Sequence, residues 1–95
     1  MDKDVIRRAL REHLPEVRAC YEAGLAQDPT IKGRVSIQFT ITSTGAVAGA
    51  MVQESEIGDA QVGRCIAGAV ESWRFPEPEG GGDVTVTYPF ALTPT

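Results

Sequence analysis

No stretch of this chain is apolar for long enough to cross a bilayer, and Met1-Asp2-Lys3-Asp4 carries none of the apolar core that a secretory leader needs. The expectation is therefore a cytosolic protein or a piece of a longer one. Histidine occurs once and cysteine twice, with no Cys-x-x-Cys pair. A zinc shell would have to be gathered from Cys20, Cys65, His13 and a carboxylate such as Glu16, which falls short of a closed set. No metal and no cofactor is expected. Basic residues thin out along the chain: seven stand against six acidic ones up to Arg34, then two against seven, for a net charge of -4. Phosphate-tracking proteins show the opposite bias, because Lys and Arg supply the counterion-release term, so nucleic acid is not an expected partner.

Ninety-five residues, 42% of them hydrophobic and 23% charged, suit one domain with one modest core. Ile6, Leu10, Leu14, Val17, Tyr21 and Leu25 recur at steps of three or four and lay an apolar stripe along a helix. Asp2 or Asp4 caps its start, and Arg18 and Glu22 are spaced for an i,i+4 pair. Pro15 removes an amide donor and crowds the preceding turn, which predicts a kink or two helices meeting near His13 and Leu14. Gln27-Asp28-Pro29 ends the element.

From Arg34 to Thr42 the period becomes two, with Val35, Ile37, Phe39 and Ile41 on one face of a strand. Ser43-Thr44-Gly45 supplies a turn, and a second strand from about Ala46 to Glu54 returns as a hairpin. Its inward positions Val47, Ala50 and Val52 step unevenly across Gly49, which predicts a bulge. Asp59 then caps a helix whose apolar positions are Val62, Cys65, Ile66, Ala69, Val70 and Trp73, closed by Phe75-Pro76. After a Glu-, Pro- and Gly-rich loop to Gly82, Val84, Val86, Tyr88, Phe90 and Leu92 alternate again. Pro89 falls in the outward set, and a strand carrying proline normally lies at the edge of its sheet. The expected fold is α+β, in the order α-β-β-α-β, with both helices on one face of a three-stranded antiparallel sheet. Residues 1–16 read as a helical extension and 17–92 as the core of a single domain.

Candidate chemistry is sparse. Cys20 and Cys65 lie forty-five positions apart, one on each helix and each near its apolar stripe. Either they form a bridge, stabilising the fold by about 4 kcal/mol and implying an oxidising compartment such as a bacterial periplasm, or they are two buried thiols acting as small hydrophobes. As a base for a Cys20 nucleophile, His13 is about two turns away, roughly 10 Å, too far for a direct hydrogen bond. Glu54, Glu56 and Asp59 read as a solvated loop, and Gly80-Gly81-Gly82 lacks the context of a phosphate loop. No enzymatic activity is expected. What remains is the edge strand, Val84, Thr85, Val86, Thr87, Tyr88, Pro89 and Phe90, whose unpaired main-chain groups can accept a partner's extended segment.

Gly33-Arg34-Val35-Ser36-Ile37-Gln38-Phe39-Thr40-Ile41, Thr44-Gly45-Ala46-Val47 and Ser72-Trp73-Arg74-Phe75-Pro76 together resemble the TonB C-terminal domain family, over about Val17 to Leu92. Cys20-Tyr21-Glu22, Pro29 with Gly33, Cys65, the Trp73–Gly82 segment and Tyr88-Pro89-Phe90 are similar to the AgmX/PglI C-terminal variant of myxobacterial envelope and gliding-motility proteins. Glu22 stands where typical TonB domains carry proline. The resemblance implies a periplasmic C-terminal domain, tethered by an upstream linker and inner-membrane helix to a proton-driven motor. It also implies that the final strand, Val84 to Phe90, pairs with an outer-membrane or periplasmic protein, and that Cys20 and Cys65 are the variant's paired cysteines. The function expected is thus a non-enzymatic, force-transducing interaction domain. The alternative is a structural envelope module that packs or dimerises through the same edge, with no motor attached.

Overall fold

Pro15 divides the first helical stretch in two. The computed structural model describes residues 3–94, in the order α1 (Lys3–Glu12), α2 (Leu14–Gln27), β1 (Gly33–Ile41), β2 (Val47–Ser55), α3 (Ala60–Val70) and β3 (Val84–Leu92). Proline is tolerated in the first turn of α2, where its missing N–H has no intrahelical partner to lose. His13 forms the joint, donating its N–H to the Leu10 carbonyl at 3.0 Å and accepting from the Glu16 amide at 3.0 Å. The joint also shifts the phase of the apolar stripe. Ile6, Leu10, Val17 and Tyr21 are buried as the spacing predicts, and Cys20 joins them, but Leu14 is 42% exposed. Asp4 lies within the first turn of α1 rather than ahead of it, and Asp2 lies outside the described residues. Arg18 and Glu22, spaced for an ion pair, make none among the described residues; both instead line a groove beside β3.

The sheet is antiparallel with order β2-β1-β3, so β1 is central. Its inward residues Val35, Ile37, Phe39 and Ile41 are at most 1% exposed, the innermost layer of the core. Val47, Ala50 and Val52 of β2 pair with Ile41, Phe39 and Ile37, as the expected bulge requires. Gly49, at φ 122°, sits inside that irregularity. A second one, between Ser36 and Ile37, leaves Gln53 opposite no single residue and has no glycine to announce it.

Asp59 caps α3 by accepting from the Gln61 N–H at 2.9 Å. The helix ends at Val70, earlier than the spacing through Trp73 predicts. The Ser72 hydroxyl donates to the Ala69 carbonyl at 2.8 Å and the Trp73 N–H to that of Val70 at 3.0 Å, so a tight turn replaces the last helical turn. That turn keeps Trp73 in the core, 2% exposed. Phe75 then donates its N–H to the Gly45 carbonyl at 2.8 Å, docking the post-helical segment on the β1–β2 turn. Gly45 has φ 86°, and a Cβ there would overlap the Phe75 carbonyl oxygen, so both conformation and space require glycine.

All three helices lie on the side of the sheet that carries the β1 core residues, with α3 against β1 and β2. Ile6 of α1, Val17 and Tyr21 of α2, and Phe90 and Leu92 of β3 share one cluster of buried side chains.

Candidate functional site

β3 pairs with β1 along one side only, through nine uninterrupted partners from Gly33 and Leu92 to Ile41 and Val84. The edge position expected from Pro89 is therefore present. Thr85, Thr87 and Pro89 are exposed, Val84, Val86 and Tyr88 half-buried, and Phe90 buried. Successive residues of an antiparallel strand turn their main-chain groups to opposite sides. The register passes Pro89, paired with Ser36, without a shift, so its missing donor falls on the open side, where edge prolines belong. By the same parity Thr85, Thr87 and Ala91 turn their N–H and C=O groups outward, with no strand beyond them among the described residues.

Side chains stiffen this edge from behind. Phe90 packs against Tyr88 with ring centroids 4.9 Å apart and meets Trp73 edge-on at 6.3 Å. Two troughs flank the strand on the helical side. One is lined by Ile6 and Arg7 of α1 with Val86 to Pro89. The other runs between α2, from Leu14 to Leu25, and β3 from Tyr88 onward. Tyr88 and Pro89 line both, so the two troughs adjoin, and together they make up the groove along the open edge.

Cys20 and Cys65 are joined in a disulfide, with Cα atoms 5.6 Å apart, linking α2 to α3. Neither sulfur is a free thiol, which removes Cys20 as a nucleophile and both as metal ligands. Cys20 is buried, whereas Cys65, placed by its spacing on the apolar stripe of α3, is exposed. Gly24 lies one turn beyond Cys20, so close to Val62 and Ile31 that a side chain there would displace them. This is why α2 can approach α3 closely enough for the bridge.

His13 faces away from Cys20 chemistry. Its ring stacks on the Trp73 indole at 4.5 Å, and its Nδ1–H donates to Glu16 Oε2 at 2.7 Å. Trp73 Nε1–H donates to the other carboxylate oxygen, Oε1, at 3.2 Å. These bonds, His13 first, hold the Glu16 carboxyl below its ordinary pKa despite partial desolvation. Sequence reasoning missed this clasp; the His-x-x-Glu spacing across a helix start, where N3 acids take part in caps, was its signal. The loop acids also have structural uses. Glu56 Oε1 accepts from the Arg34 amide at 2.8 Å, and Asp59 caps α3. Among the described residues, no group of three His, Cys, Asp or Glu side chains is placed to hold a metal, and no helix is long and apolar enough to cross a membrane.

The chain is similar to part of the tyrosine-protein kinase MasK of Myxococcus xanthus (strain DK1622). Identity is 32% over 88 residues, covering 93% of this chain and 13% of MasK, so the chain spans a small fraction of that relative's length. No protein-family model matches the chain, and no solved structure matches it.

Proposed function

We propose that this chain is a periplasmic protein-interaction domain that binds an outer-membrane or periplasmic protein by adding the partner's strand to β3. The observation that carries the proposal is the one-sided pairing of β3, whose alternate main-chain groups at Thr85, Thr87 and Ala91 lie open. Main-chain bonds to an added strand give affinity, and the side chains of that strand facing the groove give choice.

The Cys20–Cys65 bridge supports an oxidising compartment. The motif resemblance to TonB C-terminal domains, and the similarity to a myxobacterial protein, support an envelope-spanning complex in which sequence outside this chain connects the domain to a proton-driven inner-membrane motor. A force-transducing role suits the geometry. A partner strand pulled along its own axis loads several hydrogen bonds together, and the disulfide ties the helices behind the sheet. MasK is named a kinase, but this chain contains neither the His-Arg-Asp nor the Asp-Phe-Gly triplet that such enzymes use to place the base and magnesium. The shared 88 residues therefore fit a binding module better than a phosphate-transfer site.

A photoreactive amino acid at Thr85 or Thr87, irradiated in intact envelopes, is expected to crosslink an outer-membrane or periplasmic protein. Thr87→Pro, which removes an outward donor, should abolish that product while leaving the fold intact. Crosslinking only to a second copy of this domain would show edge-to-edge dimerisation instead, and undiminished capture by the proline variant would refute strand addition.

A further inference from the structure

The groove beside β3 has a charge pattern that strand addition alone does not use. Its helical wall presents Arg7, Leu14, Arg18 and Glu22, all exposed, in a chain whose net charge is -4. Neither arginine makes an ion pair among the described residues. Leu14 stands between them, one of the two large hydrophobic side chains exposed among the described residues. The wall is thus positive, apolar, positive, then negative.

We infer that the groove selects an extended segment bearing two acidic side chains four residues apart with an apolar one midway, and a basic one two residues before the first acid. This deepens the strand-addition reading and rests on it. Arg7 and Arg18 are eleven positions apart across the joint at His13, at most about 16 Å along the helices at the helical rise. A strand covers about 3.3 Å per residue, and only every second side chain turns to the helices, so acids four apart span about 13 Å, within reach of two flexible arginine stems. Glu22 lies one further turn from Arg18, about 6 Å, or two strand residues. The groove runs alongside β3 in the same direction as the helices: Ile6 and Arg7 adjoin Val86 to Pro89, and α2 adjoins Tyr88 to Pro94. An antiparallel visitor therefore meets Glu22 first, then Arg18, Leu14 and Arg7.

The test is titration of the oxidised 95-residue protein with a labelled peptide, Thr-Lys-Thr-Glu-Thr-Ile-Thr-Glu-Thr, and with its charge-swapped counterpart, in which Glu and Lys are exchanged. The first peptide should bind the wild type about tenfold more tightly than the second, and the preference should fade with added salt. The double variant Arg7→Glu, Arg18→Glu should reverse the order, which also shows that the variant is folded. No saturable binding to the wild type, or no reversal in the double variant, overturns the inference. Thr87→Pro separates the two layers of the argument. Loss of both peptides in Thr87→Pro, with no charge preference in the wild type, leaves strand addition standing and removes the selection. A charge preference that survives Thr87→Pro undiminished removes strand addition itself.

Discussion

Trp73 donates its indole N–H to Glu16 at 3.2 Å, joining residues 57 positions apart and tying the turn after α3 to the first turn of α2. The same carboxylate accepts from His13, whose ring covers the indole face. The clasp fixes the α1–α2 joint over the core, and with it the helical wall that faces β3. Glu16→Ala strands the Trp73 donor and is expected to cost about 1–2 kcal/mol. Trp73→Ala adds a large cavity and should cost about 3–5 kcal/mol. Urea unfolding followed by circular dichroism checks both, and equal midpoints for wild type and Glu16→Ala would show that the clasp contributes nothing.

The clasp has a pH signature. The Glu16 carboxyl lies below its ordinary value of 4.5, chiefly through the His13 hydrogen bond, so the unfolded chain binds this proton more readily than the folded one. Its stabilisation is fully present above that ordinary value and is lost as pH falls through the depressed one. Asp28, lowered by hydrogen bonds from Thr30, acts in the same sense. Glu16→Gln should therefore lower the melting temperature near neutrality and have a shallower acid decline, the two curves converging as pH falls. Parallel curves would assign the acid sensitivity elsewhere.

Reduction should be costly and direct. The bridge closes a 45-residue separation, for which loop-closure entropy gives about 4 kcal/mol. Cys65 is exposed and Cys20 buried, so a small reductant is expected to approach the bond from the Cys65 side without global unfolding. Denaturant midpoints with and without dithiothreitol should differ accordingly. The Cys20→Ala, Cys65→Ala double variant should match the reduced protein and be indifferent to the reagent.

Glycines separate conformation from space. Gly45→Ala must adopt φ 86° and displace the Phe75 carbonyl, which predicts a loss of more than about 2 kcal/mol. Gly68 lies in α3 with open space around it, so Gly68→Ala should stabilise by about 0.5–1 kcal/mol through helix propensity. Opposite signs in thermal unfolding are expected, and a destabilised Gly68→Ala would contradict the account.

Much of the fold was legible where one face is buried along a whole element. β1 and β3 alternate without a slip, Pro15 marks the helix break, Gly49 the bulge, and Pro89 the sheet edge. What escaped the sequence depends on distant partners. Trp73 continues the helical spacing of α3, yet Ser72 and the docking of Phe75 on Gly45 end the helix first. Leu14 reads as core until the turn at His13 rotates it outward, and Gln53 reads as an ordinary strand residue until β1 skips it. The groove was hidden for the same reason, since Arg7 and Arg18 become its wall only when α1 and α2 lie beside a strand about seventy residues away.

Amide hydrogen exchange along β3, in the free domain and with its bound partner segment, tests strand addition most directly. Thr85, Thr87 and Ala91 should exchange rapidly alone and become strongly protected in the complex, while Val86 and Tyr88, turned toward β1, are slow in both. A saturated complex in which Thr85 and Thr87 exchange as fast as in the free domain would contradict the account.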